Sequence, residues 1–262
     1  MHTIKEIGEQ DMLDKETCKK LAKELKIDLF TILREYLQLL FLKYFYLKKD
    51  SEKVYFKGET ALRFLLGSFR FSEDLDFSTS LSPRTLSKLI EKTIEDLSKE
   101  GIAVSFKKRK TLSDSFSGRI FQKQEGYSFP LTIRVDFSLR EKSIKFENSY
   151  IETVFPVSAY PLVTHLSFEE IMSEKIRALF IRGKGRDIFD IWFLLTKKVP
   201  INWELINKKM LIYNKKVTLE KLISAIKNIP DEEIESDLTR FLPLSHRDMV
   251  KSIKDITLKK LE

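Results

Sequence analysis

Residues 57–77 read KGETALRFLLGSFRFSEDLDF. A glycine at 58 opens the stretch and an apolar helical pattern follows from Thr60 to Leu66. Two aspartates then flank a single leucine inside an apolar run. Asp74 and Asp76 stand at i and i+2. On a strand that spacing puts both carboxylates on one face, because side chains alternate. Two carboxylates held so close repel, which raises the cost of ionising both. A divalent cation removes the conflict. Oxygen-only donors, with no His or Cys among them, select Mg²⁺ or Mn²⁺ over zinc.

Upstream, Val54-Tyr55-Phe56 reads as a short strand, Gly58 permits a tight turn and Thr60 offers a hydroxyl. A turn that opens a helix binds phosphate through its free N–H groups and the helix dipole. Arg70 and Ser72, just before the acidic pair, are further candidates for phosphate contact. Strand, glycine turn, helix and Asp-x-Asp strand therefore supply both halves of a nucleoside triphosphate site. Downstream, LTIRVDFSL at 131–139 alternates. Ile133, Val135 and Phe137 share one face, and Thr132, Arg134, Asp136 and Ser138 share the other. Asp136 thus offers a third carboxylate, and three can hold two metals for in-line phosphoryl or nucleotidyl transfer. Taken singly, each feature is ordinary: a solvated strand end, a plain turn, a lone acid. Their order carries the information.

The remaining pattern is mixed and then helical. Residues 17–48 give two helices with a break near Lys26-Ile27-Asp28. Ser82-Pro83 is an N-cap with a proline at the first helical position, opening a helix to about Glu100, where Gly101 stops it. Residues 102–107 and 115–122 are strand candidates. Ser167 with Glu170 forms a capping box. SFEEIMSEKIRALFIRGKGRDIFDIWFLL then gives two helices around the basic turn Arg182-Gly183-Lys184-Gly185. Helical patterns continue to the C-terminus, punctuated by Pro200, Pro230 and Pro243. A boundary near 160–166 separates a mixed half from a helical half.

With 262 residues the chain holds one large domain or two modest ones. At 42% apolar and 33% charged residues it builds a real core and is not a disordered chain. The net charge of +8 suits an anionic partner, and a Lys-rich solvated surface accounts for it equally well. The single cysteine, Cys18, rules out an internal disulfide and a cysteine metal cluster. His2, His165 and His246 are too few and too scattered for a zinc site. MHTIKEIGEQ has no apolar signal core, and the most apolar segment, 37–47, is short and interrupted by Lys43. A soluble cytoplasmic protein without membrane contact is the expectation.

The ordered stretch resembles the first motif pair of the AbiEii/AbiGii-type toxin family of nucleotidyltransferases. That pattern runs Lys-Gly-Gly-Thr-Ala-Leu, then Arg-x-Ser-x-Asp-(Leu/Ile)-Asp-Phe. Lys57, Gly58, Thr60, Ala61 and Leu62 match the first part, and Arg70, Ser72, Asp74, Leu75, Asp76 and Phe77 match the second. The stretch around Lys175, Arg186, Asp187 and Asp190 looks like the family's downstream signature. One position departs: Glu59 stands where the second glycine is usual. A side chain there narrows the approach of a phosphate, and its charge repels one unless a metal or lysine intervenes.

The resemblance implies an α+β fold: a polymerase β-like nucleotidyltransferase core, a small mixed sheet with helices, followed by an all-helical C-terminal domain. The divisions expected are 1–165, with N-terminal helices, and 166–262, contributing to the active site and acceptor binding. It also implies Mg²⁺-dependent transfer of a nucleoside monophosphate from an NTP. Members are generally toxins of bacterial toxin–antitoxin or phage-defence pairs, and some modify the 3′ acceptor end of tRNA and stop translation. A cognate antitoxin and a tRNA acceptor are the partners expected.

On this reading Asp74, Asp76 and Asp136 bind the metals, and Asp136 helps deprotonate the attacking hydroxyl. Lys57, Gly58, Thr60, Arg70 and Ser72 grip the triphosphate. Lys175 neutralises charge on it, with Arg186 and Asp187 orienting Lys175 or the nucleotide, and Asp190 either shares that role or is structural. The basic turn at 182–186 and the Lys-rich C-terminal helices form the RNA surface. Three other readings fit the same residues. One has a protein or small-molecule acceptor. The second is a degenerate module that only binds RNA or a partner, and the third is a metal-dependent nuclease.

Overall fold

The computed structural model describes residues 13–109, 114–123, 128–140, 145–159 and 161–262. His2 and the N-terminal stretch read above for a signal core lie outside them. In chain order the elements begin with α1 (Lys15–Leu25), α2 (Leu29–Tyr46), β1 (Val54–Lys57), α3 (Gly58–Leu66), β2 (Asp74–Thr79) and α4 (Pro83–Lys99). Then come β3 (Val104–Lys108), β4 (Ser115–Gln122), β5 (Leu131–Ser138), β6 (Phe146–Tyr150) and β7 (Leu162–Leu166). The chain ends with α5 (Phe168–Arg182), α6 (Gly185–Thr196), α7 (Trp203–Met210), α8 (Leu219–Lys227), α9 (Asp231–Leu238) and α10 (Ile253–Leu261). The strands form one seven-stranded mixed sheet in the order β3-β4-β5-β2-β1-β7-β6. The expected α+β class is the one observed. No described helix is long and apolar enough to cross a membrane.

Two compact units divide the chain. The first takes Met1–Phe56, Glu73–Lys142 and Asn148–Thr164. Its core is built by strand alternation. On β5, Leu131, Ile133, Val135 and Phe137 are buried, while Arg134 is exposed and Thr132, Asp136 and Ser138 are half-buried. The buried face packs against α2. Phe45 of α2 lies 5.7 Å from the Phe77 ring and 6.3 Å from Phe137, and Phe77 stacks on Phe137 at 4.8 Å. α4 packs on α2 and on β3.

Local chemistry sets the helix ends here. Lys26 takes a left-handed conformation at φ 53° and stops α1, and the Asp28 side chain accepts from Thr31 N–H to start α2. Ser82 caps α4 in the same way, with Pro83 at its first position. Asp28 and Ser82 each satisfy one of the orphan N–H donors that a helix start leaves.

The second unit takes Lys57–Ser72, Ser143–Glu147 and His165–Glu262. Its centre is α6, where Ile188, Phe189, Ile191, Phe193 and Leu194 are all buried, and α5, α9 and α10 pack around it. The α6 start needs a glycine, because a Cβ on Gly185 would sit 2.4 Å from the Ile234 Cα of α9. The Ser167 side chain accepts from Glu170 N–H and opens α5, as the capping box predicts. The loop after α3 is tied down by Phe71 N–H donating to Phe241 O at 2.8 Å.

Candidate active site

In the first unit, β2 and β5 run parallel and in register, with Asp76 opposite Asp136 and Asp74 opposite Arg134. Directly opposed residues put their side chains on the same sheet face. Asp74, Asp76 and Asp136 therefore share one face, all half-buried, opposite the phenylalanine core. Burial pushes the Asp136 carboxyl above the usual range. Arg134, whose Nε lies 2.5 Å from Asp136 Oδ2, and Arg109 offset only part of that rise. Carboxylates confronting one another across a strand pair, with no imidazole or thiolate among them, suit a hard divalent cation. The donor set fits Mg²⁺ or Mn²⁺.

β1 runs straight into α3 through Lys57 and Gly58, where the second unit begins. Gly58 has φ 79°, which only glycine adopts without strain, and no side chain caps the helix. The helix starts at Gly58 rather than Thr60, so Glu59 falls in its first turn, and Thr60 is buried at 1% exposure.

Glu59 sits in a compact ionic cluster. Its Oε1 lies 2.7 Å from Lys175 Nζ and 3.5 Å from both Arg70 Nη2 and Arg182 Nη2. Lys175 Nζ also lies 2.8 Å from Asp190 Oδ2. Arg70 donates to both Asp190 oxygens at 3.0 Å, and Arg182 donates to both Asp187 oxygens at 2.9 and 2.7 Å.

Glu59, Asp187 and Asp190 converge to within 4.8 Å of one another, as metal ligands would. Yet Arg70, Lys175 and Arg182 already neutralise them, and a cation there would displace buried, hydrogen-bonded partners. Burial raises the Asp190 pKa, but Arg70 and Lys175 outweigh it and hold the carboxyl below its usual range. The cluster is an ion-pair network and does not fit a metal.

A second network lies beside it in sequence. Lys57 Nζ donates to Glu174 Oε2 at 2.8 Å, and Lys209 Nζ donates to Glu170 Oε1 at 2.9 Å and Glu174 Oε1 at 3.4 Å. Burial would raise Glu174, but Lys57, Lys209 and Arg177 draw it down to about 2.

Several candidate residues thus have positions the spacing did not show. Lys175 is held by Glu59 and Asp190, whereas Asp187 holds Arg182. Asp190, which the sequence left open between orienting and structural roles, grips both Arg70 and Lys175. Arg70 is 2% exposed and Lys175 is 5% exposed, so both cations are committed to buried partners. Ser72 is half-buried in the segment before β2. Arg186 is half-buried, and its Nε is buried without a hydrogen-bond partner among the described residues. Lys209 and Glu174 were missed by sequence reading. A buried lysine looks like any surface lysine in a Lys-rich helix.

The family model described as nucleotidyl transferase AbiEii toxin, type IV toxin–antitoxin system, matches residues 40–252. Among solved structures the chain is similar to MenT4, a nucleotidyltransferase toxin from Mycobacterium tuberculosis. The identity is 17% and the TM-score 0.62, over 95% of this chain and 91% of that one. It is also similar to JHP933 from Helicobacter pylori, at 21% identity and TM-score 0.54, over 90% of this chain and 94% of that one. At these identities the structures establish the shared fold. No curated protein matches the chain.

Proposed function

The chain belongs to the AbiEii family of nucleotidyltransferase toxins of type IV toxin–antitoxin systems, and from that premise we propose that it transfers a nucleoside monophosphate from an NTP to the 3′ end of tRNA in a metal-dependent reaction. The observation that carries this reading is the register of Asp76 on Asp136, with Asp74 on the same face. In the reaction the acceptor hydroxyl oxygen forms a bond to the α-phosphorus. The bond from that phosphorus to the bridging oxygen of the β-phosphate breaks, and pyrophosphate leaves.

Asp74, Asp76 and Asp136 would hold Mg²⁺ or Mn²⁺, which would supply charge neutralisation during transfer. Asp136 takes the proton of the acceptor hydroxyl. Within the second unit, the uncapped N–H groups of the α3 first turn and the Arg186 guanidinium are donors suited to an anion. Lys57, Thr60, Arg70, Ser72, Lys175 and Asp187 fix the backbone around that turn. Lys175 and Arg70 do so through Glu59, whose charge they balance. The division of labour proposed for the chain is 1–165 for nucleotidyl transfer and 166–262 for support of the fold around it.

The test is transfer of label from α-³²P-NTP to tRNA by wild type and Asp76→Asn. Loss of transfer in a folded variant supports the reading. Transfer undiminished by the substitution refutes it.

A further inference from the structure

The sheet face that carries the carboxylates also carries a row of cations. Arg134 on β5 is the register partner of Arg119 on β4, and Arg119 is the register partner of Lys107 on β3. Opposed residues share a face, and Arg134 stands two positions from Asp136 on its strand, so the row lies on the Asp74, Asp76 and Asp136 face. Arg134, Arg119 and Lys107 are all exposed. The row begins opposite Asp74 and ends on β3, an edge strand of the sheet. At about 4.8 Å per strand it is about 10 Å long.

A second transverse row runs beside it through Asp76, Asp136 and Ser117, and Arg109 closes it, its backbone N–H donating to Ser117 O at 2.9 Å. Like charges placed directly opposite one another are destabilising. Asp136 relieves Arg134. Among the described residues neither Arg119 nor Lys107 has a carboxylate partner. The basic turn at 182–186 is different, because Arg182 is bound to Asp187 and Lys184 Nζ lies 3.8 Å from Asp237. Lys107, Arg119 and Arg134 are instead a contiguous row of exposed cations on the face that carries the carboxylates.

We propose that Lys107, Arg119 and Arg134, with Arg109 beside them, form the track for the phosphodiester backbone of the acceptor RNA, leading its terminal hydroxyl to Asp76 and Asp136. This rests on the reading of those carboxylates as the reaction centre. The track is sequence-independent, because phosphate contacts position a strand without reading its bases. It fits a chain of phosphates and has no use for a small-molecule acceptor.

The experiment measures binding rather than chemistry, by filter retention of 5′-labelled total tRNA on Asp76→Asn protein over a range of salt. Adding Lys107→Gln and Arg119→Gln is expected to weaken retention at least about tenfold at low salt. It is also expected to reduce the slope of log K against log salt by about 1 per cation removed. The control adds Lys88→Gln and Lys92→Gln instead, the same charge change on exposed positions of α4, and is expected to keep the parent slope.

An unchanged slope in the row variant overturns the proposal, as does an equal change in both variants, which would assign binding to net charge. Absence of any tRNA retention by the parent also overturns it. Failure of the functional reading shows separately, as wild-type protein that transfers no label to tRNA while binding it.

Discussion

Glu59 Oε1 lies 2.7 Å from Lys175 Nζ. The residue standing where the family motif has its second glycine is therefore bound to the lysine of the downstream motif, 116 residues away by the numbering. The charge that would repel a phosphate from the α3 turn is balanced by Lys175, Arg70 and Arg182. Glu59→Gln removes that charge while keeping the shape. It is expected to lower stability by about 1–3 kcal/mol, since the cations keep Asp187 and Asp190 but lose a half-buried charged partner. The urea unfolding midpoint checks it, and a midpoint equal to wild type would contradict the balance described.

Asp190 carries more than Glu59, because it holds both Arg70 and Lys175 and all three are buried. Asp190→Asn leaves two buried cations with Glu59 as their remaining carboxylate and is expected to cost about 3–5 kcal/mol. In a double-mutant cycle, Arg70→Met and Asp190→Leu together should be milder than the sum of the two single changes. Simple additivity would mean that the two side chains are not coupled.

The second network sets an acid limit. Glu174 ordinarily titrates near 4.5 and is drawn down to about 2 in the folded chain. A carboxylate with a lowered folded pKa contributes stability above its unfolded value, and that contribution is lost as pH falls through the folded one. Asp190 acts in the same direction. The urea midpoint is expected to fall between about pH 4.5 and pH 2. Glu174→Gln should flatten that fall, and an unaltered profile in the variant would count against the network.

Asp136 has the opposite sign. Its folded pKa is raised by burial, so the ionised carboxylate strains the metal-free fold once pH exceeds the ordinary range. Asp136→Asn is expected to keep or slightly raise the metal-free melting temperature while abolishing nucleotidyl transfer. A variant that melts well below wild type would make the residue structural rather than functional.

The sequence showed the local features well. The strands at 115–122 and 131–138, the Ser82 and Ser167 caps and the break at Lys26 are set by side-chain alternation and capping groups, which act within a few residues. The face shared by Asp74 and Asp76 followed from the two-residue strand period alone. β6 and β7 were not anticipated, because FENSY has no apolar alternation and LVTHL is five residues long. The partners of Lys175, Arg70 and Lys57 were also hidden. Lys175–Glu59, Arg70–Asp190 and Lys57–Glu174 each join side chains more than a hundred positions apart, and only the tertiary fold decides which acid meets which base.

The most direct test of the central claim is to incubate the purified protein with Mg²⁺, total tRNA and each α-³²P-NTP in turn, and to resolve the products on a denaturing gel. The expected result is a labelled tRNA band from wild type that is lost in folded Asp76→Asn and in folded Asp136→Asn. Label that persists in both variants, or tRNA left unlabelled by every NTP with folded wild type, would contradict it.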